Sequence, residues 1–315
     1  MMEPIKLGVS ACLLGEKVRW DGDHRFDPFL TGTLGQFVEY VPVCPEAECG
    51  LGVPREAMRL VGDPENPRLV TVKTGVDHTD RMKEWGTRRL EELAREDLCG
   101  CIFKSRSPSC AMGRVKVYGE RGFTLTGTGV WARMVVERFP LLPVEEEGRL
   151  TDPAFRENFI ERIFVFRRWR DLTARGKTLG GLVRFHDAHK LIIMAHSSRA
   201  YRELGALVAS GSGRDPEELF AEYIVSLAAA MKLQATVKKH RNVLLHIVGY
   251  FKQRFTPGEK REFVEIIDQY ALGRLPLIVP VTLVNHYTRK YGESRLDNQY
   301  YLNPHPIELA LRNHT

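Results

Sequence analysis

The apolar pattern of this chain changes period once, and that change limits its fold more than any other feature. Up to about residue 138, short apolar runs alternate with amphipathic stretches, the pattern of an α/β unit with a mostly parallel sheet and helices packed on it. Ile5 to Ser10, Phe37 to Val43, Leu69 to Lys73 and Cys101 to Lys104 read as strands. Thr79 to Glu96 and Val130 to Arg138 read as helices, and the Gly-punctuated run Gly113 to Gly129 as a hairpin or an irregular loop. Proline and acidic residues from Pro140 to Asp152 mark a boundary, beyond which the period is helical throughout.

The second part is expected to be an irregular all-α bundle. Asp152-Pro153 opens a helix whose Phe155, Phe159, Ile163 and Phe166 share one face, and Gly180-Gly181 precedes a single long helix near 182–209. Asp215 and Thr256 are each followed by proline and then by an acid at the third helical position, which signals two further helix starts. A helix over 235–255 lies between them, and Pro276 and Pro280 are expected to interrupt the last apolar stretch. The domains expected are thus 1–148, a helical connector 149–180, and 181–315.

Charge divides with the period. Residues 1–148 carry 20 Lys+Arg against 23 Asp+Glu, whereas residues 149–315 carry 26 against 17 and eight of the ten histidines. A basic excess confined to one part is the footprint of a polyanion partner, and nucleic acid ranks ahead of membrane because no lipidation motif or basic amphipathic anchor is present. No apolar run is long enough to span a bilayer and the amino terminus lacks a basic leader, so a cytoplasmic location is expected.

All six cysteines, at 12, 44, 49, 99, 101 and 110, fall in the first third. A reducing compartment disfavours disulfides and leaves the thiols for metal or chemistry. Cys12 and Cys44 each follow a predicted strand end, and the strand 101–104 leads into Cys110. Loops at the carboxyl ends of parallel strands form the ligand crevice of such sheets, so these three thiols can converge on a metal centre. Without a Cys-x-x-Cys pair, a zinc ribbon or thioredoxin motif is unsupported. Three soft ligands from separate loops suit an iron-sulfur cluster with one iron left open as a Lewis acid. The alternative is that the cysteines are small core residues, which fits Cys99 and Cys101; Cys49 competes with Cys44 for the ligand role.

Ser10 to Gly15 (SACLLG), Arg19 to Gly22 (RWDG), Cys44 to Glu46 (CPE), Gly50 to Arg55 (GLGVPR) and Arg106 to Cys110 (RSPSC) resemble, in order, the motifs of the thiouracil desulfidase family. The resemblance covers about residues 4–145. It implies a 4Fe-4S cluster on Cys12, Cys44 and Cys110, with the fourth iron free for the thiocarbonyl sulfur of the substrate and a non-redox hydrolytic reaction. It also assigns Glu46 and Ser107 as catalytic, the first for acid/base work and the second to orient water or the base. Cys49 departs from the family, which commonly has glycine there. Arg19, Asp21, Arg55 and Arg106 lie in the same motifs and are candidates for substrate contact, or for ion pairs that hold the loops.

From about residue 181 to 312 the chain resembles a second family, the YbgA-type domain, through Phe185-His186, His189 to Leu191, Met194 to Ser197, Tyr201, Lys239-His240, Asn242 to Leu244, His246, Gly249 to Lys252, Pro276 to Pro280 and His286-Tyr287. His186, His189 and His196 fall on one helix face with Ile193, the arrangement of a polar bundle seam more than of a metal site. Lys190, Lys238, Lys239, Arg241, Lys252 and Arg254, interleaved with His240, Tyr250 and Phe251, offer phosphate contacts and rings for stacking. Longer desulfidase-family members with this fusion are associated with tRNA, so the resemblance implies conversion of 4-thiouridine in sulfur-modified tRNA to uridine, with sulfide released. Two other readings are a desulfidase of free 2- or 4-thiouracil and a nucleic-acid-binding redox sensor. Oligomeric state is not legible in the residues.

Overall fold

The computed structural model describes residues 4–313, and the chain divides into two compact units at Asp152/Pro153. Unit 1 contains strands β1 (Ile5–Ser10), β2 (Val38–Val43), β3 (Met58–Val61) and β4 (Arg68–Thr71), helix α1 (Thr79–Leu93), strands β5 (Gly100–Phe103), β6 (Val115–Gly119) and β7 (Gly122–Gly127), helix α2 (Val130–Arg138) and strand β8 (Val144–Glu146). Unit 2 contains α3 (Pro153–Ala174), α4 (Leu179–His196), α5 (Ser198–Ala209), α6 (Pro216–Met231), α7 (Val237–Val248), α8 (Pro257–Ala271), α9 (Ile278–Tyr291) and the short α10 (Ser294–Asp297).

Two sheets, not one, build unit 1. The first is parallel throughout, in the order β2-β1-β5-β8, and its register sets Ser10 level with Val43 and Val9 level with Ile102. The chain runs from β1 to β2 on one side while β5 adds on the other, so β1 is a topological switch point. The second sheet, β4-β3-β6-β7, is mixed. The strand expected at Leu69 to Lys73 therefore belongs to a different sheet, because alternation marks a half-buried strand without naming its neighbour. Gly113 to Gly129 holds the β6–β7 hairpin, with an irregularity between Val115 and Val117. The proline-rich boundary contains β8, an edge strand that its acids conceal. Helices α1 and α2 pack together, with the rings of Trp85 and Trp131 5.0 Å apart.

Unit 2 is all helical. Helix α4 packs on α3, α5, α6 and α7, and Phe159, Ile163, Leu191, Tyr223 and Leu244 are completely enclosed. The single helix expected near 182–209 is two: Ser197 turns extended, and its side chain accepts from the Ala200 N–H to cap a new start. Asp215 and Thr256 cap as the sequence requires, the latter in a full capping box with Glu259. Pro280 does not interrupt the last apolar stretch. It sits in the first turn of α9, where no intrahelical N–H is needed.

Candidate functional site

Three cysteine-bearing loops leave the same edge of the parallel sheet. Cys12 lies in a short helical turn directly after β1, Cys44 directly follows β2, and Cys110 ends the loop after β5. Since β2, β1 and β5 are adjacent, the three loops leave the sheet side by side at the switch point. Cys12 and Cys110 are buried and Cys44 is half-buried. Burial pushes the Cys12 thiol up to about 11, and the neighbouring Cys44 adds to the shift. Cys44 is raised by burial too, against backbone N–H groups of Ala47 and Glu46 that point at its sulfur. Cys110 is raised well above the usual thiol range by burial, then by Glu46, Cys44 and Cys12. The three sulfurs thus act on one another electrostatically although they come from separate loops.

Hydrogen bonds hold the Cys110 loop in place. Ser107 Oγ accepts from the N–H groups of Ser109 (3.2 Å) and Cys110 (3.1 Å). Gly129, which precedes α2, donates to Ala111 O at 2.7 Å, and Trp131 N donates to Ser109 O at 2.9 Å. A Cβ on Gly129 would stand 2.5 Å from the Ser109 carbonyl, so only glycine permits this approach. At the other end of the loop, Lys104 N donates to Ser10 Oγ at 2.9 Å, linking it to the end of β1.

Glu46 joins these loops. Its Oε2 accepts from Arg55 Nε (2.8 Å) and Nη2 (2.6 Å), while its Oε1 accepts from Ser109 Oγ at 2.6 Å. Arg55 also donates to Val18 O at 2.9 Å, the carbonyl that Cys44 Sγ approaches at 3.6 Å. Arg55 is therefore committed to positioning Glu46 and the Val18 loop. Arg19 pairs with Asp21 at 3.3 Å, and Arg106 adopts a positive φ of 59° in the turn that leads to Ser107. Ser109, completely buried, is the residue that reading the sequence passed over. It stands inside the RSPSC motif, but its link to Glu46 spans 63 positions.

The other cysteines face the core. Cys49 packs with Leu60, Leu69, Met82 and Ala111, and burial raises its thiol to about 11. Cys101 lies against Gly8, where an added Cβ would meet its sulfur at 2.7 Å, and Cys99 is fully buried. Among the described residues, no three His, Cys, Asp or Glu side chains close in as ligands of a single ion. A 4Fe-4S cluster makes a different demand, one soft ligand per iron, and the three thiols on separate loops, two buried and one half-buried, would serve three irons and leave the fourth without a protein sulfur.

In unit 2 the three histidines do not meet. His186 Nδ1 contacts Tyr223 Oη at 3.1 Å, His189 bonds to Phe185 O at 2.7 Å, and His196 contacts Glu161 at 2.9 Å. Of the basic residues, Lys238, Lys252 and Arg254 are exposed. Lys239 donates to the carbonyls of His196 and Gln234, Arg241 pairs with Asp268 at 2.8 Å, and Lys190 with Asp187 at 2.7 Å. No helix among the described residues is long and apolar enough to cross a membrane.

Fold and site together define a two-part protein: an α/β unit with three cysteines on adjacent loops, and a helical unit. Residues 7–147 match the family model described as 2-thiouracil desulfurase, and residues 190–306 match one described as a protein of unknown function (DUF1722). The uncharacterized protein YbgA of Escherichia coli (strain K12) is 30% identical over 159 residues, 50% of this chain and 94% of YbgA. The uncharacterized protein YbbK of Bacillus subtilis (strain 168) is 27% identical over 132 residues, 40% of this chain and 87% of YbbK. A solved structure of the [4Fe-4S]-dependent thiouracil desulfidase TudS is 28% identical and covers 47% of this chain and 93% of TudS, with a TM-score of 0.38. The chain belongs to the YbgA family, and its first part also carries the 2-thiouracil desulfurase match.

Proposed function

We propose that this protein is an iron-sulfur-dependent desulfidase of thiolated uracil, and that its substrate is 4-thiouridine in tRNA, converted to uridine. The observation that carries this reading is the convergence of Cys12, Cys44 and Cys110 at the switch point beside the doubly anchored Glu46. These cysteines would hold a 4Fe-4S cluster, which supplies an open iron as Lewis acid for the thiocarbonyl sulfur. The reaction balances without electrons: the ring carbon loses its bond to sulfur and gains one to the oxygen of water, and the sulfur departs as hydrogen sulfide.

The chain's own residues supply the proton chemistry. Arg55 holds Glu46 through Oε2, which leaves Oε1, shared with Ser109, as the oxygen that takes a proton from the attacking water. Ser107 uses its oxygen to accept two backbone N–H groups, so its hydroxyl proton is the one it offers to the base. The basic excess of residues 149–315, with Lys238, Lys252 and Arg254 exposed, supports tRNA as the carrier of the base. A base stacked in RNA would reach a buried crevice by flipping out.

Nucleoside mass spectrometry of bulk bacterial tRNA, after anaerobic incubation with cluster-reconstituted protein, tests this directly. Loss of 4-thiouridine with a matching gain of uridine is expected, and none with Cys110→Ala. Turnover of free 4-thiouracil alone would move the substrate to the free base. An intact cluster with no turnover of either would replace the enzyme with a nucleic-acid-binding sensor.

A further inference from the structure

The second sheet of unit 1 has one face in the core and the other turned away from it. Leu60, Leu69, Val115 and Val117 pack on Ala111, the residue after Cys110. Alternation along the strands sends their neighbours to the opposite face: Arg59 of β3, Arg68 of β4, Lys116 and Tyr118 of β6, and Phe123 of β7, which pairs directly with Tyr118. The four strands contain these three cations and no acidic residue. Residues 1–148 as a whole carry more Asp+Glu than Lys+Arg, 23 against 20, so composition does not account for a sheet free of acids.

Two of the cations are held by rings. Lys116 Nζ stands 4.3 Å from the centre of the Phe123 ring, and the Arg59 guanidinium 5.2 Å from that of Tyr118. Neither cation enters an ion pair among the described residues. Arg68 has Asp77 at 3.5 Å, an exposed pair that holds little. The Tyr118 and Phe123 rings lie 5.7 Å apart, and Phe123 is 50% exposed. Bare aromatic area beside unpaired cations is matched by a strand of RNA, whose phosphates answer the charge and whose bases stack on the rings. An acidic protein segment would answer the charge and leave the rings without a flat partner.

The geometry points to this face as a binding site for a single-stranded segment of RNA, with a base stacked on Phe123 and Tyr118 and its flanking phosphates on Lys116, Arg59 and Arg68. The inference rests on the reading of tRNA as the carrier of the reacting base. It adds to that reading a contact made by unit 1 itself, on the sheet whose inner side packs beside the Cys110 loop.

Binding of the full chain to bulk tRNA and to a short uridine oligonucleotide, followed by fluorescence anisotropy over a series of salt concentrations, tests the inference. Phe123→Ala should weaken both ligands by about five- to a hundredfold with the salt slope unchanged, the loss of one stacked base. Lys116→Gln should weaken both and lower the logarithmic salt slope by about 1. Far-ultraviolet circular dichroism should stay that of the wild-type protein in both variants, and so should turnover of free 4-thiouracil. Wild-type tRNA binding that neither variant weakens would overturn this inference alone and leave the face to a protein partner. No tRNA binding by the wild-type protein would overturn the reading of tRNA as carrier, and the inference with it. Should Phe123→Ala fail to fold, Lys116→Gln decides.

Discussion

The two units gather their ionisable side chains by different routes. Unit 1 puts them on loops beyond strand ends, with Cys12, Cys44 and Cys110 on the loops that follow the adjacent strands β1, β2 and β5. Unit 2 draws them inside the bundle, where His196 and Arg312 both pair with Glu161 and His189 bonds to the carbonyl of Phe185, all four almost wholly enclosed. A parallel sheet has a common edge at which separate loops meet, so side chains far apart in sequence gather there on loops, Cys12 and Cys110 buried and Cys44 half-buried. A helical bundle has no such edge, and polar groups that meet within it must pay the desolvation cost through pairing.

The largest effect expected from this contrast is at Glu46. Glu46→Gln should lower desulfuration by about 10²–10⁴-fold while the iron content of the reconstituted protein holds. Ser109→Ala should lower it less, since Arg55 still positions the carboxylate. Loss of iron in either variant would show that this pair supports the cluster loops instead of the proton transfer.

A pH titration of stability probes the enclosed groups of unit 2. Burial holds His189 down to about 3 and His305 down to about 4, so each contributes stability that is present above 6.5 and lost as pH falls toward those values. Glu157, raised by burial to about 7, works in the opposite sense and offsets part of the loss. Unit 2 should therefore lose on the order of 3 kcal/mol between pH 6.5 and pH 4. Unit 1 has no deeply buried histidine among its described residues, so that loss is expected of unit 2. Thermal unfolding followed separately through residues of each unit would check this, and simultaneous acid unfolding of both would break the contrast.

The smallest effect is at the surface. Replacing Lys238, Lys252 and Arg254 together by Glu should weaken tRNA binding and reduce its dependence on salt, with the logarithmic slope falling by up to about 3. Turnover of free 4-thiouracil should be unchanged. An unchanged salt slope would place the RNA contact elsewhere.

Much of the fold was legible because its signals are local. Ile5 to Ser10 is a strand over the full expected span, and Asp215-Pro and Thr256-Pro-Gly-Glu start helices by capping chemistry confined to a few neighbouring residues. Local signals also misled. The apolar period runs unbroken through 182–209, and it does not register that the Ser197 side chain binds a backbone N–H three residues on. Pro280 looked like a break and is a first-turn residue, because the position of a proline within a helix depends on where that helix begins.

The sequence by itself determined strands β1, β2 and β5, helices α1 and α2 and the capped starts of α6 and α8, the change of architecture near residue 152, the placement of cysteines after strand ends and the basic excess of the second part. Those are matters of period, capping and charge, which neighbouring residues decide. Only the tertiary structure decided that the first unit has two sheets, that Cys49 packs into the core while Cys44 stays half-buried, and that Ser109, Glu46 and Arg55 form one chain of hydrogen bonds. Strand register and the close approach at Gly129 bring residues 63 positions apart to within 2.6 Å, and no local pattern encodes that distance.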